Sequence, residues 1–377
     1  MTRVAITAIG IVAPGAIGMD AFASMLDAGK SAFVPYCNRS AGLVRDFVPK
    51  EFIAPMKLRR MNQLSRFAVA AARLSGVPLP ESAGVAMGTA FGPVQTSVDY
   101  MQQYVEKGAA LAPPQLFAES VANAPGSHVG IEFGLRGFNV TLTQRESSAL
   151  AALMYAASQV AKGSVPAALA GGVEEVSEMA FSVLDRIGAL GRCSRPFDRQ
   201  RDGMVVGEGG AALVLEAKPS RDPFAFVSGF GIGRDRTAAI SDWGEGVDDV
   251  VAVMRAAIDD AEIGAGDIDA IYASANSSVR GDRLEYRAIQ SLFAGDVPPV
   301  VATKGYFGEY AAGGALQIAS AVIAVRDQKL HATIGFSEGE EAMRFTPTRE
   351  PSPRRLRHVL VNSLSAGGGV VSAILSA

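Results

Sequence analysis

Ala5-Ile6-Thr7-Ala8-Ile9-Gly10, near the start of the chain, and Phe226-Val227-Ser228-Gly229-Phe230-Gly231, past its middle, are two short apolar runs that each end in glycine. Residues of this kind favour strands, so each run reads as a strand and the pair reads as the opening of two weak copies of one unit. Between them lies Lys218-Pro219-Ser220-Arg221-Asp222-Pro223, a turn-rich linker by its prolines and polar residues. The expectation is therefore two similar halves, residues 1–218 and 224–377. Further strands are expected at Gly84–Gly88, Asn139–Thr143, Ala167–Ala170 and Ala211–Glu216. They resume at Ala270–Ala273, Val300–Ala302, His331–Gly335 and His358–Ser363, the two opening runs spanning Arg3–Val12 and Phe224–Gly231. Helical stretches alternate with these strands, the pattern of layered α/β proteins. In the helix expected over Ser147–Lys162, Ala149, Leu150, Leu153, Met154, Ala157 and Val160 recur mostly at three- and four-residue spacing, an apolar face suited to a central position.

Composition excludes several classes of function. The chain has 377 residues, 49% of them apolar and 19% charged, enough for one large two-lobed body and far from the composition of a disordered chain. Its 35 basic and 38 acidic residues give a net charge of −3; no basic run tracks a phosphate backbone, so nucleic acid is not an expected partner. Cys37 and Cys193 cannot make a disulfide framework, which fits a reducing cytoplasm. His128, His331 and His358 lie too far apart for metal-ligand spacing, and neither a metal nor another cofactor is expected. The uncharged stretch Val359–Ala377 reaches membrane-spanning length, but Asn362, its serines and Gly367-Gly368-Gly369 argue for two buried strands around a glycine turn and no membrane span. At the N-terminus Gly10, Pro14, Gly15 and Gly18 interrupt the apolar run, so it reads as a strand, not a signal peptide.

The segment Ser194-Arg195-Pro196-Phe197-Asp198-Arg199-Gln200-Arg201-Asp202-Gly203, followed by Gly207-Glu208-Gly209-Gly210, carries more specific information. Its glycines permit close backbone approach, and Asp198, Arg201, Asp202 and Glu208 are expected to form a buried polar network. This segment resembles a signature of the β-ketoacyl synthases, the condensing enzymes of fatty acid and polyketide synthesis in the thiolase superfamily. The likeness extends over nearly the whole chain. Arg3–Pro14 resembles their first strand, Arg59-Arg60-Met61 the opening of a helix, and Ala170-Gly171-Gly172 the segment after the nucleophile helix. Gly281-Asp282 with Glu285, Lys304, and Asn362-Ser363 with Gly367-Gly368 follow in the same order.

The resemblance implies a thiolase-like layered αβαβα fold built from two similar halves. It also implies decarboxylative Claisen condensation by a cysteine and two histidines. This sequence departs from that set at all three positions: Glu146 stands where the cysteine is expected, Ser274 at the first histidine and Glu309 at the second, while Lys304 is retained. Neither cysteine opens a helix, so condensation has no visible nucleophile. Glu146 reads as a helix N-terminal carboxylate stabilised by the dipole and by Arg145 or Lys304. A sharper reading brings Glu146 and Glu309 into one pocket where they share a proton.

The resemblance places the segment Tyr100–Asn123 near a dimer interface where acyl tunnels end. Tyr100, Met101, Tyr104 and Phe117 are the candidate tunnel residues, with ordinary interface packing as the alternative. Leu364 falls where condensing enzymes carry a gating phenylalanine. The function so implied is that of a catalytically inactive ketosynthase-like subunit, similar to a chain length factor. It would pair as a dimer with an active ketosynthase, served by an acyl carrier protein, in aryl-polyene or other type II polyketide assembly. Two alternatives are an altered-chemistry decarboxylase or thioester hydrolase using Glu146 and Glu309, and a homodimeric acyl-binding protein.

Overall fold

The structure, a computed structural model, describes residues 3–219, 221–294 and 296–377. Ten strands make its main sheet path: β1 (Val4–Ala13), β2 (Gly84–Gly88), β3 (Asn139–Leu142), β4 (Ala167–Glu174) and β5 (Gly209–Glu216), then β6 (Ala225–Arg234), β7 (Ala270–Tyr272), β8 (Val300–Val301), β9 (His358–Leu364) and β10 (Gly369–Ser376). Their spatial order is β8-β7-β9-β10-β6-β1-β5-β4-β2-β3. Read outward from the middle, the second five repeat the order of the first five. The directions repeat too. β2 is parallel to β3 and β4 while β5 is antiparallel to β4 and β1; β7 is parallel to β8 and β9 while β10 is antiparallel to β9 and β6. β1 and β6 meet antiparallel over Val4–Ile6 and Ala225–Val227.

Three helical layers enclose these strands. The helix Gln63–Leu74 covers one outer face against β1, β4 and β5, and Val247–Asp260 covers the other against β6 and β10. Between the two sets of strands lie Ser148–Ala161, against β4 and β2, and Ala315–Asp327, against β5, β9 and β10. The pattern of burial follows from this layering. Every residue of β1 is buried, as expected for a strand covered on both faces. From Ala315 to Val325 the middle helix is buried on all sides, the mark of a core helix, not of an amphipathic surface one. The expected layered αβαβα architecture is the one observed, and among the described residues no helix is long and apolar enough to cross a membrane.

Glycine permits the outer layers to close. A Cβ on Gly10 of β1 would lie 1.8 Å from the Ala71 carbonyl oxygen of one outer helix, and a Cβ on Gly231 of β6 would lie 2.0 Å from the Val253 carbonyl oxygen of the other. The glycines that end the two opening runs thus do the same job in each set.

The structure corrects some local expectations. His331–Gly335 is not a strand. Its hydrogen bonds are scattered: Thr333 N–H donates to the Thr348 carbonyl at 2.6 Å, and the Thr333 side-chain hydroxyl, in place of a backbone carbonyl, receives Ala302 N–H at 2.9 Å. Only the preceding Lys329–Leu330 pairs, with Ser352–Pro353. β4 continues past Ala170 through both glycines to Glu174, because at Gly171 the missing Cβ leaves room for the Ala211 carbonyl of β5. Arg59–Met61 precedes a helix that begins only at Gln63, where Asn62 Oδ1 accepts Ser65 N–H at 2.7 Å and caps it. The polar residues around Gly203 do not form one network. Arg201 does meet Asp198, donating to its carbonyl at 2.8 Å, but otherwise turns to Asp282, 3.8 Å away, and to Glu340. Asp202 instead pairs with Arg192 at 2.6 Å, and Glu208 accepts Val44 N–H at 2.9 Å and Val176 N–H at 3.2 Å. The chain turns at Gly203 (φ 137°), which separates Glu208 from the residues before it.

Candidate functional site

Both middle-layer helices begin at one buried cluster. Glu146 lies in the turn Arg145–Ser147 immediately before Ser148–Ala161. Glu309 and Tyr310 precede the turn Ala311–Gly314, which leads into Ala315–Asp327. Tyr310 bridges the two carboxyl groups: its hydroxyl donates to Glu146 Oε1 at 3.0 Å and its backbone N–H to Glu309 Oε1 at 2.8 Å. Glu309 Oε2 takes two further donors, Lys304 Nζ at 2.6 Å and Asn276 Nδ2 at 2.7 Å. Lys304 and Glu309 are thus a buried ion pair with hydrogen bonds at both carboxylate oxygens, the condition under which a buried charge is tolerated.

Glu146 is in a different state. It is 3% exposed, and its Oε2 has no hydrogen-bond partner. A helix N-terminus favours a carboxylate, but burial first and the Glu309 charge second outweigh the local hydrogen bonds and Lys304, raising its pKa to about 7. Glu146 is therefore a carboxyl able to keep its proton near neutrality. Arg145, one of the residues expected to stabilise Glu146, instead donates to the Ala366 carbonyl at 3.2 Å.

A set of serines fastens this turn to the glycine-rich loop after β9. Ser147 and Ser365 hydroxyls lie 2.8 Å apart, Ser363 Oγ donates to the Glu146 carbonyl at 3.0 Å, and Ser365 Oγ to the Gln144 carbonyl at 2.9 Å. Ser274 does not join the carboxyl pair through its hydroxyl. That oxygen accepts Leu364 N–H at 2.9 Å, and Ser274 N–H donates to Glu285 Oε1 at 2.8 Å.

Of the tunnel candidates, three aromatic residues cluster, while Met101 and Leu364 lie elsewhere. Tyr100 lies 6.3 Å from Tyr104 and 5.5 Å from Phe117 between ring centroids. Tyr104 and Phe117 are 41% and 57% exposed, whereas the exposed Met101 lines a groove with Val98, Val105 and Met179. Leu364 is buried and lines a small cavity with Trp243, Ser274, Asp282 and Glu285. The histidines have local partners: His128 meets Glu119 at 2.7 Å, His331 the Tyr272 hydroxyl at 2.7 Å, and His358 Ser376 at 2.9 Å. Among the described residues no three His, Cys, Asp or Glu side chains are placed to hold a metal ion.

Sequence reading missed Tyr310, Asn276 and the serines. It also missed two buried acids, Glu174 and Glu175, raised by burial to about 8 and about 7. The adjacency of Glu174-Glu175 to the Ala170-Gly171-Gly172 segment was the available signal for the acids, and the adjacency of Tyr310 to Glu309 the signal for the bridge.

A layered αβαβα body with two repeating sets of strands, whose middle helices both start at one buried cluster, defines the thiolase-like class of fold. The family model of the β-ketoacyl synthase N-terminal domain matches residues 1–220, and that of the C-terminal domain residues 224–337. The chain belongs to the β-ketoacyl synthase family. It is 28% identical over 408 aligned residues to the 3-oxoacyl-[acyl-carrier-protein] synthase 2 of Coxiella burnetii, covering 99% of this chain and 98% of that one. It is 30% identical over 417 aligned residues to a putative polyketide β-ketoacyl synthase 1 of Streptomyces cyaneus, covering 99% and 97%. A solved structure of the ishigamide ketosynthase/chain length factor matches with a TM-score of 0.91 at 25% identity, over 100% of this chain and 99% of the other.

Proposed function

We propose that this chain is a non-catalytic ketosynthase-like subunit of the chain length factor type. In this reading it pairs with an active ketosynthase, is served by an acyl carrier protein, and acts in polyketide or aryl-polyene synthesis. The observation that carries the reading is the Lys304–Glu309 ion pair bridged to Glu146. Condensation needs a nucleophile that forms a thioester and donors that stabilise an enolate and an oxyanion. A buried carboxyl replaces the nucleophile here, and the second histidine position holds an anion already satisfied by three donors. The ketosynthase/chain length factor neighbour and the Streptomyces relative support the polyketide setting.

A rigorously purified chain is expected to form no condensation product from acyl and malonyl carrier-protein substrates, and Glu146→Cys alone is expected not to restore any, since Ser274 and Glu309 remain. The chain is expected to elute as a dimer with a co-expressed ketosynthase and to bury more than roughly 1,000 Å² between subunits. Product from the chain alone would overturn the reading, as would a monomer by light scattering both alone and with the ketosynthase. A second reading, thioester hydrolysis or malonyl decarboxylation through Glu146 and Glu309, is favoured by the protonatable Glu146 with a free Oε2. Turnover of malonyl thioester by the pure chain, abolished in Glu146→Gln, would establish it.

A further inference from the structure

A narrow cleft is lined by Phe91, which is 39% exposed, by Val176, Phe181, Leu184, Val206 and Tyr310, and by the acids Glu174 and Glu175. Its free space has room for about one water. Tyr310 forms one wall of it. The ring meets Phe91 edge-on with centroids 4.8 Å apart and packs with Phe181, Leu184 and Val206, while the hydroxyl reaches through to Glu146. One side chain thus stands between an apolar cleft and a buried carboxyl whose second oxygen is unpartnered.

The backbone aims this ring at a conformational cost. Tyr310 sits at φ 65°, ψ −12°, a left-handed conformation uncommon for a bulky residue. It is held there by its N–H on Glu309 Oε1 and by Gly313 N–H on its carbonyl at 2.6 Å. Strain of this kind persists only where the surroundings over-determine it. Here they fix the ring across the cleft.

We propose that Tyr310 is a plug: its ring closes the cleft to unbranched acyl chains, and its hydroxyl anchors the ring on Glu146. The inference rests on the non-catalytic reading in one respect, that a subunit without a nucleophile has no use for a chain of its own. The growing chain is then left to the partner and to the interface.

The test uses the full chain, without a partner, titrated calorimetrically with butanoyl-, hexanoyl- and octanoyl-pantetheine. Tyr310→Ala is expected to bind at least tenfold more tightly than the wild type. Each added methylene should tighten binding about fourfold until the opened space is filled, with a negative heat-capacity change. Tyr310→Phe keeps the ring but loses its anchor and is expected to open only partway, binding more tightly than wild type and more weakly than Tyr310→Ala. Equal binding by wild type and Tyr310→Ala overturns the proposal, and so does opening by Tyr310→Phe as wide as by Tyr310→Ala. If circular dichroism finds Tyr310→Ala unfolded, Tyr310→Leu carries the test: a tenfold gain for butanoyl-pantetheine supports the plug and no gain overturns it. Because no partner is present, a negative result leaves the heteromeric reading standing. A failed reconstitution with a ketosynthase likewise leaves the plug standing.

Discussion

Burial and the neighbouring Glu309 charge together outweigh Lys304 and the Tyr310 hydroxyl and raise the Glu146 carboxyl in the folded chain. In the unfolded chain the same carboxyl titrates at its ordinary value of 4.5, against about 7 when folded. Between those two values the folded state holds a proton that the unfolded state has lost. This group's contribution to stability therefore falls as pH rises through the window and is level above it. Glu146→Gln removes the titration while retaining an acceptor for Tyr310. Urea unfolding should find the variant about equal to wild type at pH 4.5 and more stable at pH 8, by on the order of 3 kcal/mol. The same offset at both pH values would show that Glu146 is ionised in the folded chain. Glu174 and Glu175, raised in the same direction, remain in the variant, so the slope should shrink without vanishing.

At the scale of strands and helices, the layers are set as closely by absent side chains as by present ones. Gly10 and Gly231 each let an outer helix carbonyl approach a strand to a distance no Cβ would allow. The strands cannot retreat, because their other faces rest on the middle helices. Gly10→Ala and Gly231→Ala are each expected to cost about 3 kcal/mol or more, the upper range of overpacking, measured as a fall in the urea midpoint. Gly266 is the control: a Cβ there meets nothing within 4 Å, and Gly266→Ala should change stability by no more than about 0.5 kcal/mol. If Gly10→Ala and Gly266→Ala behaved alike, the close-approach account would be wrong.

On the whole molecule, Tyr100, Tyr104 and Phe117 form an aromatic cluster in which Tyr104 and Phe117 are exposed and Tyr100 is half-buried. Such a patch costs little to truncate in the free chain but gains weight once a second subunit covers it. Phe117→Ala should therefore lower the melting temperature of the isolated chain only slightly, well short of the roughly 3 to 5 kcal/mol lost when a core aromatic is removed. In a complex reconstituted with an active ketosynthase, it should lengthen the product if the cluster ends an acyl tunnel. Unchanged product length together with a large loss of stability would assign Phe117 to packing alone.

The sequence by itself determined the alternation of strands and helices and the layered class, and by resemblance it set Glu146, Ser274 and Glu309 as the expected departures from a catalytic set. It could do so because β-branched runs, helical spacing and ordered motifs are local properties. It also marked the glycines at 10 and 231, since a strand ending in glycine is visible in one dimension. The tertiary structure decided which side chains face one another. That Tyr310 joins Glu146 to Glu309 across more than 160 positions of chain, that Ser274 turns to Leu364, and that Glu208 parts from Arg201 depend on how the middle helices converge and where the chain turns. No local pattern encodes such contacts. His331 illustrates the same limit: an apolar-looking run after it favours a strand, yet its backbone finds no neighbouring strand to pair with, and pairing is a property of the sheet, not of the segment.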